Sequence, residues 1–417
     1  MLLLLPVLLL LTSQTAADSD VSHTQQVLVL GGNGFIGAES VTALLRQKGR
    51  YNVTVVSRGS ERYDARDRVL QHVRQLRCDR YTPCRRCPSG NPLLGCEELM
   101  AAQKEVTQWD FVIDFSGYDA DAVSQALDAL AEKMKYYVFI SSDSVYEVCE
   151  PSTGVLSHEE AAVRPSDRRR RHDLASRDSY GDGKLSAEEV LRARAVPHVV
   201  LRLPDVLGPR DTTGRWWAYQ LWVQYAGVLR RPVPIPPSVR TLRTSYVFVS
   251  DVARALTAAL NRSKEVNGKA FNLALDRDFR LAELLGEIAR ELGVHSVVTR
   301  EVNSENVARF FPSVYRGPVS WRRAREQLGF EPTPWPEVLS ETVRFYRRAL
   351  VRFPEERRRV FSVLESIFGD DPDVQRRLVE SIERDLLDAS FGKRDDGEVG
   401  ESGEGLATEG GEGKDEL

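Results

Sequence analysis

The sequence predicts an α/β fold in which a doubly wound parallel sheet carries the main site and a smaller C-terminal lobe completes it. Three observations lead there. A short apolar run, Gln26 to Leu30, passes directly into a glycine-rich turn, Gly31-Gly32-Asn33-Gly34-Phe35-Ile36-Gly37. Further apolar runs of strand length alternate with helical stretches, as expected of parallel strands buried on both faces. With 417 residues there is ample chain for a large core and more than one unit. The composition, 42% hydrophobic and 28% charged, is that of a globular protein, and a net charge of -4 argues for no nucleic-acid or membrane-surface partner.

Residues 1–17 stand apart from the fold. Leu2 to Leu11 are apolar except for Pro6, and Thr15-Ala16-Ala17 follows as a small-residue cleavage site, the pattern of a secretory signal peptide. A membrane anchor needs about 20 apolar residues and this run is about half that, so no membrane span is expected after its removal. At the other end, Lys414-Asp415-Glu416-Leu417 reads as the KDEL address of the endoplasmic reticulum lumen, which makes the KDEL receptor an expected partner. Residues 392–417 are rich in Gly, Glu and Asp and have too little apolar surface to fold. Two glycosylation sequons, at Asn52 and Asn261, agree with that compartment; the second, at an expected helix end, is the better acceptor.

The glycine turn carries the first chemistry. Such a strand-to-helix turn lets the backbone approach a pyrophosphate, whose charge rests on the free N–H groups of the helix that follows. Gly31, Gly34, Phe35, Ile36 and Gly37 are therefore candidate cofactor contacts. The next strand, Asn52 to Val56, ends in Ser57 and Arg58, with no acidic residue for ribose hydroxyls. An arginine there suits a 2'-phosphate, which favours NADP(H) over NAD(H); a solvated turn arginine is the alternative.

The five cysteines fall unevenly. Cys78, Cys84, Cys87 and Cys96 cluster in a turn-rich insertion, residues 78–96, and Cys149 lies apart. In an oxidising compartment these read as disulfides stapling the insertion, with one thiol left over and the pairing open. The Cys84-x-x-Cys87 spacing also suits a redox-active pair or zinc, but a second pair at metal spacing is absent and no metal is expected.

Further along, Trp109 to Ser116 and Tyr136 to Ile140 read as buried strands flanking a helix from about Ala120 to Lys135. The second leads into Ser141-Ser142-Asp143-Ser144-Val145-Tyr146. Tyr180-Gly181-Asp182-Gly183-Lys184-Leu185-Ser186-Ala187-Glu188 lies downstream, with Tyr180 and Lys184 one helical turn apart and so on one face. With the glycine spacing, these segments resemble the extended short-chain dehydrogenase/reductases, the NAD-dependent epimerases and dehydratases of sugar nucleotides. The resemblance covers about Gln26 to Arg348 and implies a Rossmann-type sheet over residues 24–210 with an interleaved substrate lobe over 211–350. It also implies roles. Tyr180 is the general acid/base, Lys184 lowers its pKa and holds the nicotinamide ribose, and Ser142 orients the reacting oxygen. Asp79 matches the position near the adenine, Ser116 the cofactor-facing end of the fourth strand, and Asp205 the substrate-facing loop. Arg243, one position out of register, is the candidate for a substrate diphosphate.

Two features depart from that pattern. Asp178 to Glu189 also reads as an EF-hand loop, with Tyr180 wrong at its third position. Ser142 and Tyr180 are further apart than in relatives, and the extra length includes Arg168-Arg169-Arg170-Arg171, read as a solvated loop or an anionic contact. From 354 to 391, Val360, Leu364, Ile367, Val374, Leu378, Ile382 and Leu386 recur at helical spacing, the stripe of a docked terminal helix or a homo-oligomer contact. The functional expectation is a luminal NAD(P)-dependent oxidoreductase, epimerase or dehydratase of a small polar substrate such as a sugar nucleotide. A regulatory protein that keeps the cofactor fold without catalysis is the alternative.

Overall fold

The computed structural model describes residues 24–391 except 86, 88, 89, 152, 153 and 370. The signal-peptide run and the tail with its KDEL end lie outside the described residues. Among the described residues eleven strands are formed: β1 Gln25–Leu30, β2 Tyr51–Ser57, β3 Arg74–Arg77, β4 Phe111–Asp114, β5 Tyr137–Ser142, β6 His198–Leu203, β7 Asp205–Leu207, β8 Val233–Ile235, β9 Tyr246–Phe248, β10 Lys269–Asn272 and β11 Thr299–Glu301. Seven pair in one parallel sheet, in the order β10-β6-β5-β4-β1-β2-β3. The chain winds outward from β1 through β2 and β3, then restarts at β4 on the other side of β1 and winds the opposite way. Where the winding reverses, the loops leaving β1 and β4 diverge and open a crevice at the carboxyl edge.

The strands are buried because both faces are covered. Val27, Val29, Val53 and Val55 pack into one core with the helices Phe35–Leu45 and Val249–Asn261, while Leu28, Leu30, Val112 and Phe139 pack on the other side with Ala120–Leu130 and Ser179–Ala193. The lobe interleaves with this sheet: β7 pairs with β9 and β8 with β11, both parallel, and the chain returns between them to lay β10 on the sheet edge. Among the described residues no helix is long and apolar enough to cross a membrane.

Two sequence expectations change. Arg168 to Arg171 form the first turn of a helix, Arg168–Arg177, rather than a loop, because the Asp167 carboxylate accepts the Arg170 N–H at 2.7 Å and caps it. The C-terminal stripe divides into two helices, Pro354–Phe368 and Pro372–Phe391, and docks on its own chain: Val360, Leu364, Phe368, Val374, Leu378 and Ile382 are buried in the main core. Phe368 meets Trp222 edge-on at 5.0 Å, and the Tyr225 hydroxyl donates to Asp385 at 2.7 Å.

One buried ion pair joins several of these elements. Glu188, on the helix Ser179–Ala193, accepts from Arg202 of β6 at 2.7 and 3.0 Å and from the Ser141 hydroxyl of β5 at 2.7 Å. Arg202 continues to the Tyr146 hydroxyl at 3.0 Å and the Glu159 carbonyl at 2.9 Å, and Tyr146 donates to Asn272 of β10 at 2.7 Å. Burial alone would raise the Glu188 pKa, but the Arg202 charge and these hydrogen bonds hold it below the usual carboxylate value. Its stabilisation is therefore full above the unfolded value of about 4.3 and is lost as pH falls through the folded one. Glu188→Gln, which leaves Arg202 buried and unpaired, is expected to cost about 3–5 kcal/mol at pH 7.5 and to flatten the acid limb of the stability curve. Urea unfolding across pH measures both; a loss below about 1 kcal/mol would overturn this assignment of the pair.

Candidate functional site

A cavity of about 1300 Å³ runs along the carboxyl edge of the sheet. Gly31, Gly34, Phe35, Ile36 and Gly37 line one end, together with Ser57, Arg58, Asp79 and Ser116; Ser142, Tyr180 and Lys184 line the middle; Asp205 lies toward the lobe. Arg243 is not among the lining residues. Its guanidinium is committed to Asp278 and Glu283, so the diphosphate role expected for it does not hold.

The glycine turn is built for close approach at one end and for tight packing at the other. Gly31 has φ +84°, a left-handed conformation that glycine adopts freely. A Cβ on Gly37 would lie 2.3 Å from the Gly31 carbonyl oxygen, so the helix can start only with glycine there. A Cβ on Gly34 meets nothing of the chain closer than 3.6 Å. Gly34 is the N-cap of Phe35–Leu45 and faces the cavity, and the first-turn N–H groups behind it have no partner within the helix. This end fits the pyrophosphate of a dinucleotide. Asp79 accepts from the Tyr81 N–H and Thr82 hydroxyl, both at 3.0 Å, and the first of these bonds keeps its carboxyl below the usual range. Behind it Arg80 is buried against Asp114 at 2.7 Å and also reaches the Ser116 hydroxyl at 3.0 Å, which fixes the loop that presents Asp79.

Ser179–Ala193 presents Tyr180 and Lys184 on one face. Asp178 accepts the Gly181 N–H at 2.8 Å and caps this helix, so the twelve residues from Asp178 form helix and no ligating EF-hand loop. Gly181 and Gly183 let it approach its neighbours: a Cβ on either would fall 2.2 Å from the Ser144 carbonyl or 2.6 Å from that of Tyr118. The Lys184 ammonium, 2% exposed, donates to the Gly117 carbonyl at 2.7 Å and the Ile140 carbonyl at 2.8 Å and lies 5.8 Å from the Tyr180 ring centre. Burial pulls its pKa down to about 8. Tyr180 is 47% exposed at the cavity, and partial desolvation of its phenol, with Tyr118 and Asp143 beside it, pushes the pKa above its ordinary value. The neutral phenol is therefore the resting form, and Lys184, expected to lower its pKa, is engaged with two carbonyls.

Sequence reasoning passed over several residues here. Asp143 follows Ser142 directly, lines the cavity at 3% exposure, and receives a 3.3 Å hydrogen bond from the Ser142 hydroxyl. Burial, then the charge of Asp205, raises its carboxyl well above the usual range. The position beside a recognised serine was the signal that could have found it. Arg215 and Arg316 reach the lobe end of the cavity through contacts with no local signature. Arg215 pairs with Asp205 at 2.7 Å, and Asp205 also accepts the Ser313 N–H at 2.8 Å; Arg316 donates to the Tyr146 and Cys149 carbonyls at 2.8 and 2.6 Å. The sequon asparagines Asn52 and Asn261 are exposed, on β2 and at a helix end.

Known proteins bear on this geometry. The model of the NAD dependent epimerase/dehydratase family matches residues 27–274, more than half of the chain. Among solved structures, dTDP-glucose 4,6-dehydratase from Bacillus anthracis in complex with NAD is similar at TM-score 0.58 and 18% identity, over 78% of this chain and 97% of that one. UDP-glucuronic acid 4-epimerase from Bacillus cereus, with UDP-glucuronic acid and NAD, gives 0.58 and 18%, over 78% and 99%. UDP-glucose 4-epimerase from Thermotoga maritima, with UDP-glucose, gives 0.56 and 22%, over 78% and 100%. At these identities the likeness is one of fold. No curated protein matches significantly.

Two tests follow from the geometry. Gly34→Ala should leave thermal stability unchanged yet abolish the stabilisation of about 2.7 kcal/mol that a nicotinamide dinucleotide gives at 100 times its dissociation constant, whereas Gly37→Ala should destabilise the protein without any ligand. Equal melting shifts in the two variants would contradict the division of labour in the turn. Because the folded Asp143 pKa lies above the unfolded one, its ionisable carboxyl stabilises less as pH rises from about 4 toward the folded value. Asp143→Asn should therefore raise the melting temperature at pH 7.5 more than at pH 4, and a pH-independent difference would disprove the raised pKa.

Proposed function

Since the chain belongs to the NAD dependent epimerase/dehydratase family, we propose that it is an enzyme that binds a nicotinamide dinucleotide along the carboxyl edge of the sheet and acts on a sugar nucleotide held against the lobe. The observation that carries this reading is the gathering of Ser142, Tyr180 and Lys184 on one cavity that ends in the glycine turn. The sugar-nucleotide ligands of the solved relatives support the substrate class. The reading without catalysis is disfavoured by the same gathering, because a binding fold has no need of a buried lysine beside a phenol and a serine.

When bound, the dinucleotide supplies the acceptor and donor of hydride. The protein's own residues do the rest. Gly34 to Gly37 hold the pyrophosphate and Asp79 the adenosine end, while Ser57 and Arg58, with no acid beside them at the end of β2, favour NADP(H). Lys184 lies where it can hold the nicotinamide ribose while bonded to Gly117 and Ile140. Ser142 orients the reacting oxygen, and Tyr180, a neutral phenol at rest, gives its proton to a carbonyl oxygen; the phenolate so formed takes a proton from a hydroxyl in the reverse direction. Asp143, whose carboxyl burial raises above the usual range beside Ser142, is the candidate second proton donor that elimination of a hydroxyl, that is dehydration, would need. Arg215 and Arg316 take the place expected of Arg243 in recognising the nucleotide's diphosphate. A luminal setting, reached through residues 1–17 and 414–417, is part of this proposal and is supported by the cysteine pairs Cys78–Cys96 and Cys84–Cys87.

Incubation with a panel of UDP- and dTDP-hexoses and NAD+ or NADP+, followed by mass spectrometry of the sugar, tests the reading. Tyr180→Phe is expected to lower turnover by about 10²–10⁴-fold with cofactor affinity retained. Conversion of no sugar nucleotide by the wild type, or equal turnover in wild type and Tyr180→Phe, would overturn it.

A further inference from the structure

The insertion between β3 and the helix Glu97–Glu105 carries two disulfides of different character. Cys78–Cys96 joins residues 18 apart, and Cys78 is buried in the core that also holds Leu76, Leu93 and Leu99. Cys84–Cys87 joins residues only 3 apart, and both cysteines are half-buried at the surface of the insertion. The stabilisation a disulfide gives by restricting the unfolded chain grows with the loop it closes, so the first bond is the staple and the second contributes little.

Backbone hydrogen bonds also hold the two cysteines. The Cys84 N–H donates to the Gly90 carbonyl at 3.1 Å, the Gly90 N–H to the Cys87 carbonyl at 3.0 Å, and the Cys87 N–H to the Cys84 carbonyl at 3.3 Å. The surroundings nevertheless make room for the sulfurs. Gly95 does not have a positive φ, yet a Cβ there would lie 2.5 Å from the Cys84 Sγ and 3.2 Å from the Cys87 Sγ. Its side chain is missing where the sulfur pair sits. Arg85, exposed, follows Cys84 directly in the chain, and a neighbouring cation favours a thiolate.

We propose that Cys84–Cys87 is a thiol–disulfide exchange site that takes dithiols and disulfides as substrates, separate from the nicotinamide cleft. In the forward step a thiolate of the dithiol attacks one sulfur of the pair, the S–S bond breaks, and the departing cysteine leaves as a thiolate that takes up a proton. The second thiol of the substrate then loses its proton and attacks the mixed disulfide. The substrate is released as a disulfide, and Cys84 and Cys87 remain as two thiols. Two electrons and two protons pass from substrate to protein, and a disulfide substrate reverses the sequence. Cys78–Cys96 stays closed throughout and keeps Asp79 and Arg80 at the cleft.

The test uses the folded, oxidised full chain in mixtures of reduced and oxidised dithiothreitol, with alkylation and peptide mass spectrometry reporting each pair. Cys84–Cys87 is expected to open at least about 10-fold faster than Cys78–Cys96, with the melting temperature little changed. The wild type should also accelerate reduction of glutathione disulfide by dithiothreitol relative to a Cys84→Ser, Cys87→Ser double variant that retains its melting temperature. Opening of Cys84–Cys87 only together with Cys78–Cys96 or with unfolding, or equal acceleration by wild type and variant, would overturn the proposal.

Discussion

The Glu188–Arg202 ion pair is the constraint on which the site depends. Tyr180, Lys184 and Glu188 recur every four residues on one helix, so they share a face, and fixing the last of them fixes the rotation and depth of the other two. Arg202 supplies the anchor from β6 and Ser141 a second from β5. Successive side chains of a strand point to opposite faces, so while Ser141 reaches back to Glu188, Ser142 is delivered to the cleft. One buried carboxylate thus ties the helix that carries the phenol to the strand that carries the serine. An uncompensated charge at this depth would be costly, which explains why Glu188 and Arg202 meet through two hydrogen bonds and pass their remaining capacity to Ser141, Tyr146 and a carbonyl.

A second buried pair, Arg80 with Asp114, does the same work at the other end. Asp114 closes β4, and its carboxylate also accepts the Tyr137 hydroxyl at 2.5 Å and the Ser116 N–H at 2.9 Å. Arg80 therefore draws the start of the cysteine-rich insertion onto the central strands and leaves Asp79, its neighbour, facing the cavity. The Cys78–Cys96 bond holds the same segment from behind. The two ends of the cleft are built alike, with a buried ion pair one step behind each presented side chain.

What the sequence made legible is what local pattern determines. The apolar runs of β1, β2, β4 and β5, the glycine turn, and Tyr180 with Lys184 at helical spacing are all short-range signals, and each sits in the architecture that its pattern implies. The misreadings share a different cause. Arg243, one position out of register, is claimed by Asp278 and Glu283 from the following segment, while Arg215 and Arg316 are held at the cavity by tertiary contacts, the first with Asp205 and the second with the Tyr146 and Cys149 carbonyls. The basic run became helix because a single capping aspartate outweighs the expectation that like charges stay in a loop. The EF-hand pattern, already spoiled by Tyr180 at its third position, is not realised for a related reason: the side chain that would begin a ligating loop caps a helix instead.

The long excursion between Ser142 and Tyr180 is compatible with an intact site because its ends are pinned independently of its length. Loop-closure entropy rises only with the logarithm of length, so added residues cost little once both anchors are fixed. The excursion is itself tied down: Arg164 pairs with Asp182 and Glu189 on the helix Ser179–Ala193, and Glu147 accepts the Tyr315 and Arg316 N–H groups of the lobe. Leu174, Arg177 and Asp178 then line the cavity opposite Arg215. An insertion so placed cannot reposition Tyr180, which Glu188 controls, but it can reshape the wall that a substrate meets. The departure from family spacing therefore falls on the cavity wall and not on the helix that carries Tyr180 and Lys184.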